Sequence, residues 1–519
     1  MRLGKPEKSQ ILPMIVAGIT LLALVLYSFL CLNHLMHSDM AAEVILSKLL
    51  RDTGKLVSRE WYYSTEIRIL YSQLIMTPLF YICRDFHTVK LLSILIYLIL
   101  LLLAYSFFVR QTKLLSKGKW MVLMLLLAPW SNEYLDMMFL GDFYTSQAIC
   151  MLVFLGLFFK KDWKNEKTER IATAFLALLS VLMGLSGLRY PACLFIPLVL
   201  AVFAQGLTRE EGLRLLDKQL RRSLILTAFA GAGFVIHKLY FARYFSFDKT
   251  PVNFVPLEEA ADRLFASLRL MLEFFGYRSG VGMMSGLGLV NVLKCAFFLV
   301  FIWAVAGAFV RRNELFDERE RSFLWYFLFL FLINLYMLIF TDVLLQYRYW
   351  IPVFVVGLFP AGMYLERVTM KGRMQKQILT AFICLAALSS LYGELWQDVK
   401  FNDCAKREGY MAFLENSDYD FGYATFWNGP VTEYLSGGQI HVGNIGEGDK
   451  PYEWLTPKAY YRRGYHEGKV FVLLANTEEK GLLESDAPIM QDAKKVYGDE
   501  FYSIYEKDGM FLFSEEVDG

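Results

Sequence analysis

Charge is scarce in this 519-residue sequence: Asp, Glu, Lys and Arg together supply 20% of it, against 56% hydrophobic residues. That balance is too apolar for one soluble fold, and the mean hydropathy of +0.37 points the same way. The formal net charge is only +2, which leaves out the basic footprint of a nucleic-acid-binding protein. Histidine is rarer still, with 6 residues, and none stands at metal-ligand spacing from a cysteine. The cysteines (Cys31, Cys83, Cys150, Cys193, Cys295, Cys384 and Cys404) include no Cys-x-x-Cys pair, and most sit in apolar runs as small fillers. A Cys83–Cys404 disulfide is compatible with the topology below, but nothing in the sequence calls for it. No small-residue cleavage site follows the first apolar run, so that run is expected to stay as a helix.

What the chain has in abundance is long apolar stretches and aromatics, the latter 16% of the residues. A membrane-spanning helix needs about 20 mostly apolar residues. Stretches 11–33, 89–109, 120–140, 143–159, 171–188, 190–206, 223–241, 284–310, 322–341, 349–366 and 377–394 qualify, which predicts about eleven spans of a multi-pass plasma-membrane protein. The third is weakened by Pro129 and the polar residues after it.

Segment 69–83 is apolar but short, and it decides the topology. If it does not span and the N-terminus is cytoplasmic, loops 110–119, 160–170, 207–222, 311–321 and 367–376 all face the cytoplasm, each with four or five Lys or Arg. If it spans, all five face outward, against the positive-inside rule. Segment 69–83 is therefore read as a juxtamembrane or re-entrant helix on the outer face. The non-membrane mass, in 34–88, 242–283 and the tail, then lies outside.

The expected architecture is mainly α: a membrane domain over 1–395, then an extracytoplasmic α/β domain over 396–519. In the tail, 421–427, 439–445 and 469–475 have strand character, helical stretches fall near 400–415 and 430–436, and Asp508 with Gly509 marks a hairpin. The tail has no Gly-rich phosphate loop and no catalytic motif, so it reads as a binding or capping domain.

Five charged residues stand where water meets lipid on the expected outer side. Ser38 is placed to cap a helix lying along the membrane surface, with Asp39 at its mouth and Glu43 one turn on. The plain structural account of Asp39 is that it complements the helix dipole. Asp142 precedes the fourth apolar stretch, Arg189 lies between two apolar runs, and Arg348 lies between Tyr347 and Tyr349. Such charges are costly near lipid. Both arginines can snorkel to headgroups, or they can hold the phosphate of a lipid-linked substrate with a fixed donor fork.

This layout resembles the GT-C glycosyltransferases, the superfamily that includes protein O-mannosyltransferases and the lipid A aminoarabinose transferases. The resemblance rests on the single first helix, the long outer loop opening on Ser38 and Asp39, the arginine of Tyr347, Arg348 and Tyr349 starting a late helix, and the outer C-terminal domain. It implies a bacterial enzyme with a polyprenyl-phosphate-linked sugar as donor and an envelope glycan, protein or lipid as acceptor. It also implies Asp39 as general base, Glu43 and Asp142 positioning acceptor or base, and Arg189 and Arg348 neutralising the departing phosphate. One base acting in a single displacement predicts inversion at the anomeric carbon. The first loop lacks the acidic doublet of some branches. No metal cluster is expected, and a divalent cation is left as an open requirement. The rival reading is a transporter or lipid flippase, but no internal repeat is visible and few charges lie mid-helix.

Overall fold

The computed structural model describes residues 8–208, 217–248, 252–369, 372–396, 402–446, 450–484 and 487–509. Among these, eight helices are long and apolar enough to cross a membrane: Ile11–Cys31, Phe86–Thr112, Glu166–Leu185, Lys218–Tyr244, Gly286–Val310, Glu318–Phe340, Tyr347–Arg367 and Met374–Trp396. A ninth is reached if Asn132–Leu140 and Thr145–Phe158, bent by 72° at their junction, form one broken span. The expected count of about eleven is not confirmed. Lys119–Leu127 has only 9 residues and stops before Pro129, whose ring disfavours helix in the residue ahead of it. Pro191–Leu207 is apolar but shorter than these eight helices. Segment 69–83 carries only the helix Gln73–Leu79, whose 7 residues are far too few to cross.

The five basic loops meet at one end of the helix bundle. Lys113 pairs with Asp162 at 2.8 Å, and Lys218 pairs with Glu169 at 2.7 Å. Arg319 donates to the Phe159 carbonyl at 3.0 Å, and Arg367 reaches Glu320 at 2.7 Å. Glu366 accepts from the Ser116 and Gly118 amides, each at 3.0 Å. Loops knitted together in this way share one side, as the charge argument requires. Elsewhere in the bundle, Glu166–Leu185 and Lys218–Ile236 approach backbone to backbone. A Cβ on Gly184 would meet the Ala230 carbonyl, and one on Gly233 the Val181 carbonyl. This is the small-residue contact favoured between helices in lipid.

The chain divides into two compact units. The first comprises 1–27, 97–237 and 251–398, and the second 28–96, 238–250 and 399–519. The first is helical, and its most enclosed member is Tyr347–Arg367, 89% buried over its apolar window. Against that helix, Trp130 stacks on Phe297 with centroids 4.3 Å apart, and Phe275 meets Phe354 edge-on at 5.4 Å.

The second unit holds two sheets. Strands β1 (Trp61–Tyr63), β2 (Ser246–Phe247) and β5 (Thr456–Pro457) form one, in the order β2-β1-β5. The other contains β3 (Phe421–Thr425), β4 (His441–Ile445), β6 (Lys469–Ala475), β7 (Lys494–Gly498) and β8 (Tyr502–Asp508), in the order β4-β3-β6-β8-β7. Strands β4, β3 and β6 run parallel, and β8 and β7 add antiparallel. The three strands expected in the tail are thus β3, β4 and β6. The expected hairpin at Asp508 is displaced: β8 continues to Asp508, its turn toward β7 lies at Asp499, and 510–513 falls outside the described residues. All seven cysteines are free, so Cys83 and Cys404 do not pair.

Candidate functional site

In the second unit the helix Ser38–Thr53 carries the proposed acidic residues. It ends because Gly54 adopts a left-handed φ of 64°, bringing the Gly54 and Lys55 amides onto the Arg51 and Leu50 carbonyls. At the start, the cap position falls on His37, whose side chain makes no capping bond, and Ser38 is the first helical residue; the expected Ser38 cap is not made. Protein packs this helix on most sides, with Gln73–Leu79 and Gly429–Leu435 as neighbours. It is therefore embedded in the fold to a degree that its local sequence did not disclose.

Asp39 sits in the first turn and is half-buried. Glu43, one turn on, is buried and accepts a hydrogen bond from Ser72 Oγ at 2.8 Å. Burial pushes its carboxyl up to about 7, against the opposing pull of Arg68, Ser72 and Lys90, and the Asp39 charge adds to the rise. Arg68 itself lies over the Tyr71 ring at 4.8 Å. The helix thus presents a half-buried carboxylate at Asp39 and a second, at Glu43, near its own midpoint at neutral pH, with Arg68 and Lys90 as the local cations.

The state of Glu43 links pH to stability. Its ordinary value is 4.5 and its folded value about 7. Between those values the folded protein keeps a proton that the unfolded chain gives up, so stability is greatest below about 4.5 and falls as pH rises towards 7. Each unit between the two values is worth about 1.4 kcal/mol, so the full fall is about 3 kcal/mol. Thermal unfolding in detergent should show the midpoint dropping from pH 5 to pH 8. Glu43→Gln should flatten that dependence; an unchanged slope in the variant would move its origin elsewhere.

In the first unit, Asp142 occupies the break between Asn132–Leu140 and Thr145–Phe158. It is buried with a φ of 66°, a conformation that non-glycine residues adopt rarely. Arg189 lies over the ring of Tyr144 at 4.8 Å, so the structure brings Arg189 close to the Asp142 turn. Arg348, on the short helix Tyr347–Trp350, has its Nε 3.7 Å from Glu133 Oε1.

Glu133 is a residue that sequence reasoning passed over, and it leads to a larger group. Asn132, beside it, accepts from Arg278 at 3.1 Å, and Arg278 donates to Glu394 at 2.6 Å and to the Gly393 carbonyl at 3.0 Å. Glu394 also holds Lys294, which donates to the Trp130 carbonyl at 2.9 Å. Gly276, at φ 84°, makes room for this, since a Cβ there would strike both the Trp130 carbonyl and the Lys294 ammonium. One signal could have found the group: Lys294 is an ammonium in the middle of an apolar run, which demands a partner. Among the described residues, no three His, Cys, Asp or Glu side chains are grouped to hold a metal ion, so no residues are assigned to a cation.

Two solved structures resemble the whole chain: ArnT from Cupriavidus metallidurans bound to undecaprenyl phosphate, and the same protein in the apo state. Each aligns with a TM-score of 0.60 at 10% identity, covering 95% of this chain and 97% of that one. The fold is GT-C. This bears out the fold expected from the helix layout and the outer loop. No family model matches the sequence, and no curated protein matches it. At 10% identity the likeness concerns the path of the chain, and the roles of individual side chains rest on the geometry above.

Proposed function

We propose that this chain is a glycosyltransferase of the outer leaflet, moving a sugar from a polyprenyl-phosphate donor to an acceptor hydroxyl with inversion. The observation that carries the reading is the match over 95% of the chain to ArnT, a protein crystallised with undecaprenyl phosphate. The N-terminus and the basic loops then face the cytoplasm, and the Asp39 helix and the tail domain face outward.

In the proposed reaction Asp39 accepts the proton of the acceptor hydroxyl. The acceptor oxygen bonds to the anomeric carbon as the bond from that carbon to the phosphate oxygen breaks, releasing polyprenyl phosphate. The phosphate is a weak base and leaves without a general acid, so one carboxylate suffices, unlike the carboxylate pair of glycoside hydrolysis. Glu43 and Asp142 position the base and the acceptor. Arg189 and Arg348 meet the charge that develops on the phosphate, with Arg348 held beforehand by Glu133.

The test is to incubate the purified protein in lipid with a panel of polyprenyl-phosphate sugars and crude envelope extract, following donor loss. Donor consumption supports the transferase. Movement of labelled lipid across vesicles without donor consumption would replace it with a flippase. In the same assay, Arg348→Ala should raise KM for the donor about tenfold or more, because a charge-assisted hydrogen bond is worth about 1.5–3 kcal/mol. An unchanged KM would confine Arg348 to its pairing with Glu133.

A further inference from the structure

The second unit contains a cavity of about 720 Å³ beside the β2-β1-β5 sheet, a volume within the range of about 300–1,000 Å³ usual for small-molecule sites. Its walls combine two kinds of group. Tyr244, Tyr452 and Trp454 supply aromatic faces beside the buried Tyr62, and Arg243, Asp248, Glu453 and Lys458 supply charges. Residues distant in sequence meet here because β1 pairs with β2 on one side, Tyr62 opposite Ser246, and with β5 on the other, Tyr62 opposite Thr456.

The aromatic rings are held in place by cations and by one another. The Arg59 guanidinium lies 4.8 Å from the Tyr244 ring centroid, and the Lys458 ammonium 5.1 Å from that of Tyr62. The rings of Tyr452 and Trp454 stack 6.5 Å apart, in a turn closed by the Trp454 amide on the Tyr452 carbonyl at 2.7 Å. Tyr244 and Tyr452 stay 43% and 41% exposed, which leaves ring surface available to a ligand.

The charges narrow the choice of ligand. Two cations face two carboxylates, so the cavity offers a free phosphate no net attraction, and Asp248 and Glu453 would repel it. A hydroxyl-rich ring fits both sets of groups. Each hydroxyl can donate to a carboxylate and accept from Lys or Arg, while the C–H faces of the ring lie on the aromatics. The helix that carries Asp39 packs against β5, the strand next to the Tyr452–Trp454 wall of the cavity.

We propose that this cavity is a saccharide-binding subsite that seats a pyranose of the acceptor. Its assignment to the acceptor rests on the transferase reading above; saccharide binding itself does not.

The experiment is saturation-transfer NMR on the full chain in detergent with chitotriose, cellotriose and maltotriose, without donor. At least one trisaccharide should receive saturation from aromatic protons, with at least tenfold weaker binding in Trp454→Ala and Tyr452→Ala. Glu453→Gln, which preserves shape, should also weaken binding and serves if an aromatic variant does not fold. No binding by any of the three, or equal binding by folded variants, would overturn the subsite. So would aromatic variants that keep saccharide binding but lose affinity for phosphatidylglycerol vesicles, because the patch would then be a membrane contact. Saccharide binding in a protein that consumes no donor would retain the subsite and remove the transferase; donor consumption without saccharide binding would do the reverse.

Discussion

Asp39→Asn should lower donor turnover by about 10²–10⁴-fold, the usual contribution of a positioned general base, with KM for the donor little changed. Asparagine keeps the size and shape of the side chain but cannot take up a proton at neutral pH. The competing account, in which Asp39 only complements the helix dipole, makes a different forecast. Removing a charge from a helix N-terminus costs about 0.3–1 kcal/mol of stability and leaves turnover intact. Measuring the thermal midpoint beside single-turnover donor loss therefore separates the two. A variant of near-parent stability that fails in turnover assigns the base to Asp39, and one that turns over normally removes it from the chemistry. Asp39 is the more exposed of the two acidic residues on this helix, half-buried where Glu43 is enclosed, which is the setting the first outcome requires.

What could be read from sequence followed the range of the interactions involved. Strands β3, β4 and β6 were legible because each is a short run of strand-forming residues bounded by turn signals. The non-spanning nature of 69–83 was legible through charge parity, and the shared end of the five basic loops agrees with it. The span count was not, because an apolar run looks the same whether its helix is straight, stopped ahead of Pro129 or bent at Asp142. Asp39 was visible from its own turn of helix. The Ser72 bond that encloses Glu43 was invisible, as it crosses 29 residues. The same holds for strand β1, whose partners Ser246 and Thr456 lie far along the chain. Arg348 announced a need for an anion, but Glu133 stood in a segment that read only as a polar interruption.

Glu394→Gln should be among the most destabilising single substitutions in the first unit. Glu394 and Lys294 are each 1% exposed, and the carboxylate also binds Arg278 at 2.6 Å. Water cannot solvate a charge in such a place; the Lys294 ammonium is met there by the Glu394 carboxylate and the Trp130 carbonyl. Removing one member of a buried pair typically costs about 3–5 kcal/mol, because the other charge stays behind uncompensated. Removing both is far milder, since the desolvation of both charges is relieved together. Lys294→Met combined with Glu394→Gln should therefore recover most of the thermal midpoint lost in Glu394→Gln alone, and the coupling is read from the double-mutant cycle. Additive losses would mean that the pair is not the source of the effect. The same cycle bears on function, because Arg278 bonds both Glu394 and Asn132, and Asn132 adjoins the Glu133 that faces Arg348. If this chain of contacts fixes the Arg348 turn, the double variant should regain stability yet keep a raised KM for the donor, whereas a purely structural pair would restore both.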